Sequence, residues 1–151
     1  ARNWGMVFAS HENCLRTDID HRPTPEMMGD LVSRSPLEGL AFRFARVNEL
    51  GETVKSHSDS YFLSRSDYWG VGGYDERFSG AYGQNARDFY MRASQKLRVV
   101  DSPLALETNR HLKSDGNSRS LLRNRIVFNF LSKENPRRIS RLKQSVTVHA
   151  F

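Results

Sequence analysis

Two carboxylates one residue apart, Asp18 and Asp20, close a short apolar run that begins at Cys14, and His21 stands directly beside them. If the run is extended at that point, residues i and i+2 share a face, with Cα atoms about 6.6 Å apart. Such a pair suits a hard divalent cation, Mg2+ or Mn2+, which takes oxygen ligands and keeps coordination positions for phosphate oxygens. An Asp-x-Asp pair is equally what a solvated loop contains, so the surrounding sequence must decide between the two readings.

That surrounding sequence is ordered. The chain opens Ala1-Arg2-Asn3-Trp4-Gly5, one helix length before the acidic pair. Farther on stand Val71-Gly72-Gly73-Tyr74-Asp75-Glu76-Arg77-Phe78, then Tyr82-Gly83, Asp88 with Arg92, Arg98-Val99-Val100 and His111. Over roughly residues 1 to 112 this set resembles the family 2 nucleotide-sugar glycosyltransferases of GT-A fold. The resemblance implies an α/β fold with a mixed sheet flanked by helices. It also implies metal-dependent, inverting transfer of a sugar from a nucleotide-diphosphate sugar to a saccharide or lipid-linked hydroxyl. Asp20 would be a direct ligand of Mn2+ (or Mg2+), Asp18 would contact the ribose or a metal-bound water, and His111 would be a third ligand. A neutral imidazole suits Mn2+ better than Mg2+, and His21 reads as a partner orienting the ligands.

The same resemblance turns Arg2 toward the diphosphate, lets Asn3 anchor the first helix to the nucleotide loop, and has Asp75 and Glu76 shape the donor and acceptor pocket. Gly72 and Gly73 permit close backbone approach, and they equally serve as a helix stop. Trp69, Tyr74 and Tyr82 offer ring faces for a sugar, or pack beneath a loop. The general base departs from the pattern. Counting back from Asp88 and Arg92, the positions of the family's Glu-Asp pair hold Asn85 and Ala86, and alanine accepts no proton. Asp88 is the nearest carboxylate and the candidate catalytic residue, although an acid in a first helical turn also favours the helix dipole. A chain without the base would be a non-catalytic binding or scaffolding module of the same fold.

Composition bounds the alternatives. At 151 residues, 38% hydrophobic and 26% charged, the chain has the length of one globular domain with a real core. No apolar run approaches the ~20 residues of a membrane span. A single cysteine forms no internal disulfide and fits a reducing compartment, and Cys14 reads as a small core residue. The expected location is cytoplasmic. Because the sequence opens inside a motif, it reads as the catalytic-side portion of a larger fold, lacking the N-terminal nucleotide-binding strands. Residues 1–116 would be the partial GT-A domain and 117–151 a basic helical extension packed on it. That extension carries a net +7 where the whole chain carries +6, so the rest is close to neutral. It could touch anionic lipid at the inner face of a membrane, bind nucleic acid, or be a solvated face. A nucleic-acid-binding domain is the weakest of these, since no known nucleic-acid motif is present.

The elements that must position these groups follow from local signals. Residues 1–10 end a helix, and 14–17 form a buried strand running to the acids. Thr24 caps a helix with Pro25 at its first position, and Met27, Met28, Leu31 and Val32 form its core stripe. Residues 41–47 alternate as a strand, with Glu49-Leu50-Gly51-Glu52 turning into a second strand at 53–56. Residues 60–63 form another strand, after which Ser66-Asp67 cap a short helix. Phe89, Ala93 and Leu97 mark an amphipathic helix. Residues 98–100 and 104–106 read as two strands parted by Pro103. Residues 119–131 form a helix whose apolar face is Leu122, Ile126 and Phe130, widened by Leu121 and Phe128 and stopped by Asn135-Pro136.

Overall fold

Strand β5 (Tyr61–Ser64) is buried along its whole length, because both faces of the sheet it lies in are covered. In the computed structural model, which describes residues 2–33, 38–48, 50–54, 56, 59–79, 83–108 and 121–134, β5 pairs antiparallel with β1 (Asn13–Arg16) and with β3 (Leu40–Val47). The sheet runs β1-β5-β3-β6-β2, where β6 is Arg98–Thr108 and β2 is His21–Arg22, with β4 (Thr53–Val54) pairing on β3. β3 and β6 are parallel and the other pairs antiparallel, so the sheet is mixed. The chain is therefore an α/β protein.

Alternation along β5 sends Tyr61 and Leu63 to one face and Phe62 to the other. On the first face they meet Met6 of α1 (Arg2–Phe8), Tyr68 and Val71 of α3 (Arg65–Val71), and Phe89 and Ala93 of α4 (Asn85–Lys96). On the second, Phe62, Phe44 and Leu106 pack against Met27 and Leu31 of α2 (Pro25–Ser33). Thr24 does cap α2, its hydroxyl accepting from Met27 N at 3.1 Å. The expected stripe on α2 is only half core, however: Met28 and Val32 face solvent, because a single-sided sheet contact takes one side chain per turn. The β3–β4 hairpin closes through Asn48, whose side-chain oxygen accepts from Leu50 N and Glu52 N, while Gly51 takes φ +77°.

Three elements differ from expectation. Ser64, not Ser66, caps α3, its hydroxyl accepting from Asp67 N at 2.9 Å. The two short strands about Pro103 are one strand, β6, because the proline falls in a bulge: opposite β3, Phe44 aligns with Ser102 and Ala45 with Ala105. A bulge is where a sheet tolerates a residue without an N–H. Finally, α5 (Leu122–Glu134) buries Asn124, Phe128 and Leu131, and its expected core face of Leu122, Ile126 and Phe130 points outward. Asn124 decides this, since its Nδ2 donates to Phe78 O and Gly83 O, both at 3.0 Å, and a carbonyl pair in the interior needs such a donor. No helix among the described residues is long and apolar enough to cross a membrane.

Candidate functional site

The acidic pair does not sit on an extended strand end. β1 stops at Arg16, and residues 18–21 fold into a turn closed by His21 N donating to Asp18 O at 3.1 Å. The turn throws Ile19 into solvent and brings Asp18, Asp20 and His21 together, with one ligand atom from each lying within 4.8 Å of the others. His21 Nδ1 is 3.3 Å from Asp20 Oδ1. The imidazole is buried, whereas both acids are partly open to solvent. His21 is fixed by more than the turn, because it opens β2 and pairs with Thr108 at the end of β6. Two carboxylates and one imidazole, half in water, are a donor set that fits Mn2+ or Mg2+.

Behind this turn lies a second constellation. Arg16, the last residue of β1, donates from Nη1 to Asp59 Oδ1 at 2.8 Å, to Asp59 O at 2.5 Å and to the Tyr74 hydroxyl at 2.5 Å. Its guanidinium lies 4.1 Å from the centre of the Tyr74 ring, and Tyr74 OH in turn donates to Asp59 Oδ1. All three side chains are largely removed from water. Burial works against the charge on Arg16, but the hydrogen bond to Asp59 and the neighbouring Tyr74, Asp59 and Asp18 together outweigh it, so the guanidinium is more basic than usual. Burial above all pushes the Tyr74 hydroxyl well above its ordinary range. The Arg16–Asp59–Tyr74 group joins β1, the start of β5 and the turn after α3 into one rigid floor.

The glycine turn is held from α1. Asn3 Oδ1 accepts from Tyr74 N at 2.9 Å and from Tyr68 OH at 2.6 Å, and Asn3 Nδ2 donates to Tyr74 O at 2.9 Å and Glu76 Oε1 at 3.1 Å. Among the described residues Asn3 is thus a clamp on the 72–76 turn. Gly72 ends α3 at φ +98° and Gly73 follows at φ +60°, where an added Cβ would lie 3.0 Å from Asn3 Oδ1 and 3.1 Å from the Trp69 ring. Only glycine meets both demands. Tyr74 stacks on Phe89, ring centres 4.7 Å apart, and is core, whereas Trp69 keeps 41% of its surface in solvent. Asp75 caps the 3-10 turn Glu76–Phe78 and grips Arg77, Nε to Oδ1 2.9 Å, which holds its carboxyl below the usual range despite partial burial. Glu76 stays exposed.

Asp88 lies inside α4, 1% exposed, with Arg92 Nε and Nη2 each 2.9 Å from its Oδ2 and Arg92 Nη1 donating to Val71 O. Its carboxylate is therefore engaged in tying α4 to the end of α3, and the cap position of α4 belongs to Gln84. Cys14 is buried and its thiol pushed up by desolvation and by the charge of Glu12, as a core residue rather than a nucleophile would be. Tyr82, His111 and the Arg2 side chain lie outside the described residues, as do residues 135–151. Sequence reasoning misses Arg16 and Asp59 as site residues. A charged residue closing an apolar strand two positions before the acids is a signal for Arg16, whereas Asp59 carries none, its partners lying 43 and 15 residues away. No protein-family model matches the sequence, and no curated protein matches it.

Proposed function

We propose that this chain is a nucleotide-sugar glycosyltransferase of GT-A fold, moving a sugar with inversion from a nucleotide diphosphate to a saccharide or lipid-linked hydroxyl. The observation that carries the reading is the convergence of Asp18, Asp20 and His21 within 4.8 Å, at the point where an Asp-x-Asp motif would hold the donor. Asp18, Asp20 and His21 would hold a divalent ion, which would supply positive charge against the leaving diphosphate. The protein's own contributions are positional. The β2–β6 pairing fixes His21, and the Arg16–Asp59–Tyr74 floor fixes the strand that delivers the acids. Asn3 holds the glycine turn beside Glu76, and the exposed Trp69 ring offers a face on which a sugar can stack.

The test is a calorimetric titration of Mn2+ into the full chain, with and without uridine diphosphate, repeated on Asp20→Ala. Metal binding is expected to tighten when the diphosphate is present. Asp20→Ala should weaken it by at least the roughly 10- to 100-fold loss that even supporting groups of a metal site cause. Absence of metal binding in a folded wild-type chain sinks the reading.

One observation favours a second reading, a non-catalytic module of the same fold. Asp88 is committed to Arg92, and Asn85-Ala86 offer no base. General-base catalysis contributes about 10²- to 10⁴-fold. Installing Asn85→Glu with Ala86→Asp is therefore expected to raise sugar transfer measurably if the chain is a weakened enzyme. Donor binding with no gain in turnover would assign it to the module.

A further inference from the structure

The outward face of α5 has the makeup of a surface that meets another phase. Leu122, Ile126 and Phe130, four residues apart, stand 66%, 60% and 60% exposed, and they are not the side chains by which the helix packs. Phe128 and Leu131 on the opposite side fill the core contact with Phe78 and Met91. The helix is thus apolar on two faces, one packed in the core and the other open to solvent. Residues 125, 129 and 133 interleave with the outward stripe at 3.6 residues per turn, and they are Arg125, Asn129 and Lys133. Arg123 is engaged elsewhere, donating to Ser79 O. Beyond Glu134 the sequence adds Arg137, Arg138, Arg141 and Lys143 and no acid.

An apolar stripe accompanied by Arg125 and Lys133, and followed one turn after Phe130 by Glu134, distinguishes among occupants. A second copy of this chain would bring its own like-charged helix against the first, at a cost of repulsion. A nucleic acid would use the cations and leave Leu122, Ile126 and Phe130 idle. A bilayer with anionic headgroups uses both, side chains entering the acyl boundary while arginine and lysine stay at phosphate level. We propose that the outward face of α5 docks the protein in the plane of an anionic lipid surface, through Leu122, Ile126 and Phe130 flanked by Arg125 and Lys133. This holds whether or not the acidic turn transfers sugar, since the helix face and the turn share no residue.

The experiment is co-sedimentation of the full chain with vesicles of phosphatidylcholine alone and of phosphatidylcholine with phosphatidylserine. Binding is expected only with phosphatidylserine and should fall as salt rises. Ile126→Ser combined with Phe130→Ser should lower partitioning on the order of a hundredfold, and Arg125→Gln should lower it about fivefold. Because these side chains are exposed, thermal unfolding of the variants should match the wild type, which separates lost docking from lost folding. Three results would overturn the proposal. They are no vesicle binding by the folded wild type, binding that Arg125→Gln weakens but the Ile126/Phe130 variant does not, and vesicle-free self-association abolished by the same double substitution. The second would show that contact with anionic lipid is purely electrostatic and that the apolar stripe does not enter the bilayer, and the third would assign the face to a second copy.

Discussion

Asp59→Ala is expected to destabilise the fold by about 3–5 kcal/mol, the usual consequence of removing one member of a buried ion pair. The substitution leaves the Arg16 guanidinium in the interior with its main counter-charge gone, and it takes the acceptor from the Tyr74 hydroxyl as well. The backbone carbonyl of residue 59 still accepts from Arg16, so the arginine is not left without any hydrogen bond. Asp59→Asn keeps an acceptor but drops the charge and should cost clearly less. Replacing Arg16 and Asp59 together by apolar residues of similar volume should recover much of the loss, since such replacements are often near neutral. Urea unfolding measures all three. A shift for Asp59→Ala below about 1 kcal/mol, the scale of an exposed pair, would show that water reaches the group and that it is no rigid floor for the acidic turn.

The second large effect is alkaline. Tyr61, Tyr68 and Tyr74 are fully or nearly fully buried, and desolvation first of all raises the hydroxyl of each above its ordinary value. The burial of Tyr74 pushes its hydroxyl especially far. In the unfolded chain the same groups ionise near pH 10. A raised folded-state value means that stability is fully present below pH 10 and is lost as pH rises above it, toward the folded-state values. Each hydroxyl kept neutral in the folded chain but ionised in the unfolded one removes about 1.4 kcal/mol per pH unit, so three remove about 4. Against a typical stability of about 5–15 kcal/mol, unfolding is expected within a few pH units above 10, with tyrosinate absorbance and loss of helical signal rising together. Tyr61→Phe provides the control. The Tyr61 hydroxyl has no hydrogen-bond partner among the described residues, so its removal should leave neutral-pH stability unchanged or improved and shift the alkaline transition upward. Tyrosinate absorbance that rises well before unfolding would mean that these hydroxyls are reached by water in the folded state.

The acidic turn shows how far local signals reach. Asp18 and Asp20 were legible as a candidate cation pair, but the sequence pointed to His111 as the third ligand and to His21 only as an orienting partner, whereas the fold brings His21 into the cluster. The geometry of the pair was not legible, because an extended run and a four-residue turn place the same carboxylates differently, and the choice rests on His21 pairing with Thr108 of β6. Asn3 and the glycines at 72 and 73 were likewise visible as a motif, but the clamp between them spans 71 residues from Asn3 to Tyr74. Asp88 and Arg92 were readable as a pair one helical turn apart, yet their sequestration depends on α3 lying against α4, where Val71 O accepts from Arg92.

What the sequence determined by itself is what lies within a few residues. The Thr24 cap and Pro25 start of α2, the Asn48 turn and the glycine stop of α3 all satisfy their own backbone groups locally. An α/β composition of elements was also written there, in the two hydrophobic periods. Only the tertiary structure decided which face of α5 is core, that Pro103 bulges a continuous β6, and that Asp59 closes on Arg16. In each case two local arrangements satisfy the chain equally well. For α5 and for Asp59 the deciding energy is the pairing of a buried polar group with a partner far away in sequence, such as Asn124 with the carbonyls of Phe78 and Gly83, and for β6 it is the pairing with β3 on both sides of the bulge. Periodicity records that a side chain is apolar, whereas burial depends on what the rest of the fold brings to meet it.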